Sequence, residues 1–161
     1  MIFNFTHQHQ FTTRMKLNKQ NIDIVESKKL LGTEMTNDLK WDLNTSKIVR
    51  KANASMGILR KAASFGASRD EMKTLYIAYV RSHLEQSAVV WHSGLTIQNI
   101  HDLERVQKSA VRLIMGGQYE NYKKSLSLLK LQTLETRRKE LCLNFAKKMF
   151  ENPQNETNVS S

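Results

Sequence analysis

Residues 68–91 read SRDEMKTLYIAYVRSHLEQSAVVW and combine a helix start signal with an unusually apolar helical pattern. The Ser68-x-x-Glu71 spacing is typical of a capping box, in which the Ser and Glu side chains bind free backbone amides reciprocally. The apolar residues that follow cover more than half of the helix circumference: Met72, Leu75, Tyr76, Tyr79, Val80, Leu84, Val90 and Trp91. We therefore predict one helix to about Trp91, central to a helical bundle. His83 lies on this face, and we expect a hydrogen-bonded core histidine rather than a ligand.

Start and stop signals predict four further helices. The first covers residues 44–64 and ends at Gly66, since glycine often follows a helix end. Another begins after Thr96 and ends at residues 116–117, and a shorter one covers residues 121–129. The last covers residues 134–151 and ends before a proline, because the residue ahead of proline disfavours helical geometry. Residues 153–161 are polar, and we predict that this tail is disordered.

The first forty residues show the two-residue period of strands instead. Residues 11–17 alternate apolar and polar side chains, residues 18–21 resemble a turn, and residues 22–25 are the predicted return arm of a hairpin. Residues 30–33, LLGT, are a candidate third strand. The predicted fold class is therefore α+β, mostly α. It has short N-terminal strands or a β-hairpin, residues 1–42, followed by a bundle of four to five helices.

The charge is concentrated in the helical part. The chain has 161 residues and a formal net charge of +10; residues 1–42 carry six basic and five acidic side chains, and residues 43–161 carry nineteen and ten. This excess predicts an anionic partner for the helical part. The single cysteine excludes a disulfide framework, and no apolar run approaches the roughly 20 residues of a membrane span. Since the start lacks a secretory signal, we expect a soluble intracellular protein, nuclear or cytoplasmic and not secreted.

Two of the predicted helices each have one basic face. On the first helix, the apolar stripe comprises Ile48, Val49, Ala52, Met56, Leu59 and Ala63. The third helix has a wide apolar arc that includes Gln107, for which we expect a hydrogen-bond partner. Basic faces of this kind suit the phosphate backbone of a nucleic acid. The predicted nucleic-acid-binding residues are Lys47, Arg50, Lys51, Lys61, Arg105, Lys108 and Arg112. The alternative is that both faces are only solvated.

The last helix carries a basic residue on its apolar side. Its stripe comprises Leu134, Leu141, Cys142, Phe145 and Met149. Arg138 points into this stripe, so we expect its guanidinium either to extend to solvent or to pair with an acid across the bundle. We expect Cys142 to behave as a small buried hydrophobe.

The residues predict no catalytic and no metal-binding site. The aspartates are dispersed along the sequence, at Asp23, Asp38, Asp42, Asp70 and Asp102. No Gly-rich phosphate loop precedes a helix, and the pair His7 and His9 has no further ligands nearby. The residues alone therefore indicate a binding or structural unit.

Four motifs follow one another along the chain. The first is LLGT at residues 30–33 with NDLKW at 37–41, and the second is LY at 75–76 with VRSHLEQSAVVW at 80–91. The third is LERVQKSAVR at 103–112, and the fourth is LETRRKEL at 134–141. In this order they resemble the C-terminal part of reverse transcriptases from jockey-like non-LTR retrotransposons. Each motif alone is weak, but four in register are specific, and together they span most of residues 1–151.

The resemblance implies a role for each part of the chain. Residues 1–42 would be the last strands of the polymerase palm, with the hairpin that grips the primer end. Residues 43–92 would be thumb helices along the template–primer duplex, and residues 93–152 the helices after the thumb. The implied partners are an RNA/DNA template–primer duplex, bound without sequence preference, and the missing palm and fingers portion of the polymerase. No membrane partner is implied.

The family's catalytic parts are not found in this sequence. The family holds two magnesium ions with aspartates of an FADD or YADD turn, expected upstream of Met1, so we expect no cofactor in this chain. Glu34 also departs from the family, which usually has an apolar strand residue there. The chain thus resembles a truncated relic or gene-model fragment. Two alternatives stay open: a basic helical protein-interaction module without a nucleic-acid role, and a non-functional relic.

We predict that the chain alone has no polymerase or nuclease activity, because no paired carboxylates are available to hold two metal ions. The measurement is primer extension on an RNA template with Mg²⁺ or Mn²⁺. Nucleotide incorporation by purified, tag-free protein would contradict the prediction.

Overall fold

The structure is a computed structural model that describes residues 16–21 and 25–151. Several predictions concern residues outside these ranges: most of the 11–17 and 22–25 strands, the pair His7 and His9, and the 153–161 tail. Within the described residues, two small β-hairpins precede a helical bundle. The predicted α+β, mostly helical fold class is therefore confirmed.

Both hairpins have tight two-residue turns. Strand β1 (Lys16–Leu17) pairs antiparallel with β2 (Gln20–Asn21), and β3 (Ser27–Leu30) pairs antiparallel with β4 (Thr33–Thr36). The predicted strand at residues 30–33 is wrong, because its centre is the β3–β4 turn. Leu31 and Gly32 have φ values of 47° and 87°. Positive φ at both central positions matches the twist of the flanking strands, and glycine adopts it without steric cost.

Seven α-helices follow within residues 42–151. Helix α1 is Asp42–Ser64, α2 is Arg69–Leu75, α3 is Ser82–Glu85 and α4 is Ala88–Trp91. Helix α5 is Ile97–Met115, α6 is Tyr122–Leu128 and α7 is Leu134–Glu151. A π-helix, Tyr76–Arg81, joins α2 to α3, and short 3-10 turns cover His92–Gly94 and Gly116–Gln118. The bounds predicted for the first, third, short and last helices are confirmed to within two residues.

The predicted single helix to Trp91 is wrong in two places, at the π-helix of residues 76–81 and at a break after Glu85. The π-helix has longer hydrogen-bonded turns than an α-helix, so it shifts the phase of the residues after it. The helix then ends at Glu85, and Ser87 adopts a left-handed φ of 54° before α4 begins. As a result Tyr79 and Val90, which were predicted on the apolar face, are exposed.

The core lies where α1, the segment from α2 to α3, and α5 meet. Its completely buried side chains include Leu59, Tyr76, Val80, Leu84, Trp91, Leu103, Val111 and Leu134. The apolar stripe of α1 is confirmed except for Ala63, which is exposed near the helix end while Ala62 packs against the core. The indole Nε1 of Trp91 donates to the Gln86 carbonyl at 2.9 Å, so the largest core side chain leaves no free donor.

Helix α7 is buried only in its first half. Leu134 lies in the core, but Phe145 and Met149 are exposed, so the predicted stripe is wrong at these two positions. The reason is geometric: the second half of α7 extends past the helices that cover its first two turns. Among the described residues, no helix is both long and apolar enough to span a bilayer.

The Ser68 capping box is confirmed, and it predicts a stability effect. The Glu71 carboxylate accepts from the Ser68 amide at 2.7 Å, and the Ser68 hydroxyl accepts from the Glu71 amide. Ser68→Ala should lower the free energy of unfolding by about 1 kcal/mol. Because bonds from the Ser68 hydroxyl and amide hold the pKa of Glu71 below its usual value, that pKa should also rise. Urea midpoints and an NMR titration measure the two effects; Ser68→Thr is the control, and an unchanged midpoint would contradict the prediction.

Replacing either of two glycines by alanine should change the free energy of unfolding, but in opposite directions. A Cβ on Gly94 would overlap the indole of Trp41, the buried residue at the start of α1. Gly94→Ala should therefore lower the free energy of unfolding by about 1–3 kcal/mol. Gly57 lies inside α1 with open space around its Cβ position, so Gly57→Ala should stabilise by roughly 0.5–1 kcal/mol. Equal urea midpoints for the two variants would contradict this packing.

Candidate nucleic-acid interface

Helix α1 presents three of the predicted basic residues close together. Arg50 and Lys51 follow Lys47 by three and four residues, so each of them is a neighbour of Lys47 on the helix surface. Lys61 is exposed on the same helix, about 15 Å farther along its axis at 1.5 Å per residue. The structure therefore groups three of the four basic residues predicted on α1.

Three adjoining depressions connect the basic faces of α1 and α5. The first, which we call the hairpin recess, lies between the β3–β4 hairpin, α1 and α3 and contains Lys47, Arg50 and Lys51. The second lies between α1 and α5 and is lined by Arg50 and Arg105. The third runs along α5 toward α6 and α7; the predicted residues that line it are Arg105, Lys108 and Arg112.

Neighbouring depressions share a basic residue, so the three adjoin one another. Arg50 lines both the first and the second, and Arg105 lines both the second and the third. We call the three together the basic groove. Helix α1 packs directly against α5, and this contact brings together two faces that are far apart in sequence. Six of the seven predicted residues line the basic groove, and Lys61 is not among them.

Two cations of the basic groove already have acidic neighbours. Lys47 Nζ lies 2.7 Å from Glu34 Oε2, and Arg105 Nη1 lies 3.4 Å from Asp102 Oδ1. Glu34, in strand β4, thus balances the charge of a lysine of the groove. The Arg105–Asp102 pair is largely exposed, and exposed ion pairs contribute little net free energy, so a phosphate can replace the Asp102 carboxylate at small cost.

Aromatic rings support two other cations. Lys108 Nζ lies 5.3 Å from the centre of the Tyr122 ring, and the Arg112 guanidinium lies 5.4 Å from that of Tyr119. Such cation–π contacts hold a long side chain in place without neutralising its charge. The third depression therefore combines fixed positive charges with a ring, Tyr122, in its wall.

A buried polar network positions α5 behind the basic groove. Gln107 accepts from the Tyr76 hydroxyl and donates to Tyr122 Oη at 2.7 Å and to the Gln132 carbonyl at 2.9 Å. The Tyr122 hydroxyl donates to Glu104. Burial is the larger cause that raises the pKa of Tyr122, and the hydrogen bond to Glu104 raises it further. The hydrogen-bond partner predicted for Gln107 is confirmed, although the sequence did not identify it.

Arg138 contradicts both expectations for its charge. Its side chain is 0 % exposed, so it does not reach solvent. Its guanidinium lies 5.8 Å from the centre of the Trp91 ring, and none of its nitrogens forms a hydrogen bond within the described residues. Glu85 pairs instead with the neighbouring Arg137, at 2.7 Å. Burial lowers the pKa of Arg138, while Glu104, Glu135 and Glu85 oppose that shift.

The structure adds two residues to the site that sequence reasoning missed. His83 is half-buried and lines the hairpin recess, so the prediction of a core histidine is wrong. Lys29 of β3 lines the same recess. Its position depends on how the hairpin folds against α1, and no helical or strand period in the sequence reports that contact.

The remaining candidates for chemistry are few. Cys142 is half-buried, its Sγ lies 4.0 Å from the Ala88 carbonyl, and burial raises the pKa of its thiol. Within residues 16–21 and 25–151, no group of three or more His, Cys, Asp or Glu side chains is arranged to hold a metal ion.

In comparisons with known proteins, no family model, no curated protein and no solved structure matches the chain.

Proposed function

We propose that this chain is the duplex-holding portion of an RNA-directed DNA polymerase from a mobile element of the jockey-like kind. Residues 43–92 serve as the thumb, and the palm and fingers portion is its protein partner. The observation that carries the proposal is the basic groove, in which cations of α1 and α5 line three adjoining depressions. The four sequence motifs that resemble this family support it independently.

The groove suits the phosphate backbone rather than the bases. Lysine and arginine neutralise phosphates and release counterions, which produces affinity without sequence preference. Glu34 and Asp102 pair with groove cations in the free chain and give them up when phosphates arrive. A polymerase thumb has to slide along any sequence, and readily exchanged contacts of this kind allow sliding. The aspartates and magnesium ions for nucleotide addition would belong to the partner portion.

A second candidate function is a protein-interaction module. It is favoured by the exposed apolar side chains of α7, at Leu143, Phe145, Met149 and Phe150. A contiguous apolar surface is typical of a contact between proteins. In that case the basic groove would only be solvated, so charge reversal in the groove distinguishes the two functions.

Binding to duplex should depend strongly on salt. If about four phosphates are contacted, log K should fall against log salt with a slope of roughly −3 to −4, at about −0.9 per phosphate. The dissociation constant should be on the order of 10⁻⁴–10⁻⁶ M at physiological salt. The double variant Arg50→Glu/Arg105→Glu should weaken binding to all sequences alike and flatten the slope by roughly two units, since it removes two contacts. Fluorescence anisotropy over a salt series measures both quantities.

The matched control is Lys147→Glu/Lys148→Glu, which makes the same change in net charge on exposed positions of α7. Binding by this control should weaken much less than binding by the groove variant. Lys61→Glu should likewise have a smaller effect than Lys51→Glu, because Lys61 is not among the groove residues. Equal losses for both double variants would mean that only net charge matters. Unchanged affinity in the groove variant would instead favour the interaction module.

A further inference from the structure

The hairpin recess is small and has walls from three separate elements. The Leu31–Gly32 turn of the β3–β4 hairpin closes one side, α1 forms another, and the end of α3 forms the third with His83 and Gln86. A Cβ on Gly32 would lie 2.9 Å from Gln86 Nε2, so the turn closely approaches the residue that follows α3. The volume is about 240 Å³. Sites for drug-sized ligands occupy about 300–1,000 Å³, so a smaller group with its water is the better fit.

The recess has more positive charge than its own acid can balance. Four cationic side chains line it, Lys29, Lys47, Arg50 and Lys51, together with the single carboxylate of Glu34. The Glu34 carboxylate already pairs with Lys47, whose Nζ lies 2.7 Å from Glu34 Oε2. Within the described residues, the other three cations form no ion pair. Cations held together in a concave site attract an anion more strongly than the same charges dispersed over a surface.

A buried amide in the wall supplies an independent indication. Asn44 is 3 % exposed, and its Oδ1 accepts from the Glu34 amide at 3.1 Å. That bond assigns the other end of the amide, Nδ2, as a donor, and Nδ2 has no acceptor within the described residues. A buried donor without an acceptor is costly, so it favours a ligand that brings oxygen atoms.

From the volume, the uncompensated cations and the free amide donor, we propose that the hairpin recess is a binding subsite for a single phosphate group. Lys29, Arg50 and Lys51 neutralise the phosphate, and the Asn44 amide in the wall is a buried donor without an acceptor within the described residues. Glu34 acts as a built-in competitor, because its carboxylate occupies Lys47 while the recess has no anion. The assignment of this phosphate to nucleic acid rests on the proposed function; binding of the phosphate group itself does not.

The first experiment uses inorganic phosphate on the full chain, titrated by NMR at constant ionic strength against chloride. Shifts should concentrate at residues of the recess. Lys29→Gln and Lys51→Gln should each weaken phosphate binding by about two- to fivefold, the scale of one exposed ion pair. Glu34→Gln should strengthen it by a similar factor, since it frees Lys47. The control is Glu120→Gln, which removes the Glu120–Lys124 pair outside the recess and should change nothing.

Lys29 and Lys51 are exposed, so both variants should fold, and circular dichroism checks this. Shifts dispersed over all basic surfaces, or phosphate affinity unchanged in Lys29→Gln and Lys51→Gln, would overturn the subsite. Weaker binding in Glu34→Gln would overturn the role of Glu34 as competitor.

The second experiment identifies the source of the phosphate by comparing duplexes with a 5′-phosphate and a 5′-hydroxyl. A preference for the 5′-phosphate that Lys29→Gln removes would assign a terminal phosphate. Equal affinity for the two ends, with both weakened by Lys29→Gln, would assign a backbone phosphate. If Lys29→Gln weakens inorganic phosphate but neither duplex, the recess stands and its assignment to nucleic acid is overturned. Loss of duplex binding in Arg50→Glu/Arg105→Glu, with no phosphate site found, would keep the proposed function and reject the subsite.

Discussion

The side-chain amide of Gln107 is the interaction on which the arrangement of the helices most depends. It joins α5 to the π-helix through Tyr76, to α6 through Tyr122 and to the start of α7 through the Gln132 carbonyl. Glu104, one turn earlier on α5, accepts from Tyr122 and from the Leu134 amide. Buried polar groups stabilise a unique arrangement only when their partners are all in place. This network therefore specifies how α5, α6 and α7 meet, which apolar contacts alone would leave less defined.

The same network determines what α5 presents to solvent. With Gln107, Leu103 and Val111 held in the core, the helical period places Arg105, Lys108 and Arg112 on the outer side. Helix α1 is oriented in the same way by Ala52, Met56 and Leu59, so Arg50 faces the depression that Arg105 also lines. Placing cations near one another is unfavourable, and Glu34 and Asp102 reduce that cost in the free chain. The basic groove is thus a consequence of core packing.

The short β-hairpin has an influence beyond its size. Asn44 of α1 accepts from the Glu34 amide, and Trp41 is buried beside Gly94 at the point where the strands connect to the helices. The turn itself approaches Gln86, the residue after α3, and this approach forms one side of the hairpin recess. Arg138 is one of several buried polar side chains without a hydrogen-bond partner within the described residues: it is fully buried against Trp91, and none of its guanidinium nitrogens forms a hydrogen bond there.

Local signals in the sequence were sufficient for the fold class and for the helix ends except that of the helix that begins after Ser68. The Ser68 box, the Thr96 cap and the glycines after α1 and α5 act within one turn of the chain, so their effects can be deduced from spacing alone. Helical periodicity likewise assigned the basic faces of α1 and α5. Neither the π-helix at Tyr76–Arg81 nor the break at Ser87 had a local signal in the sequence. Only the tertiary structure decided three other features. Arg50 and Arg105 line the same depression, Lys29 and His83 line the hairpin recess, and Arg138 is buried. Each depends on contacts between elements far apart in sequence, which the repeat of a single helix or strand does not contain.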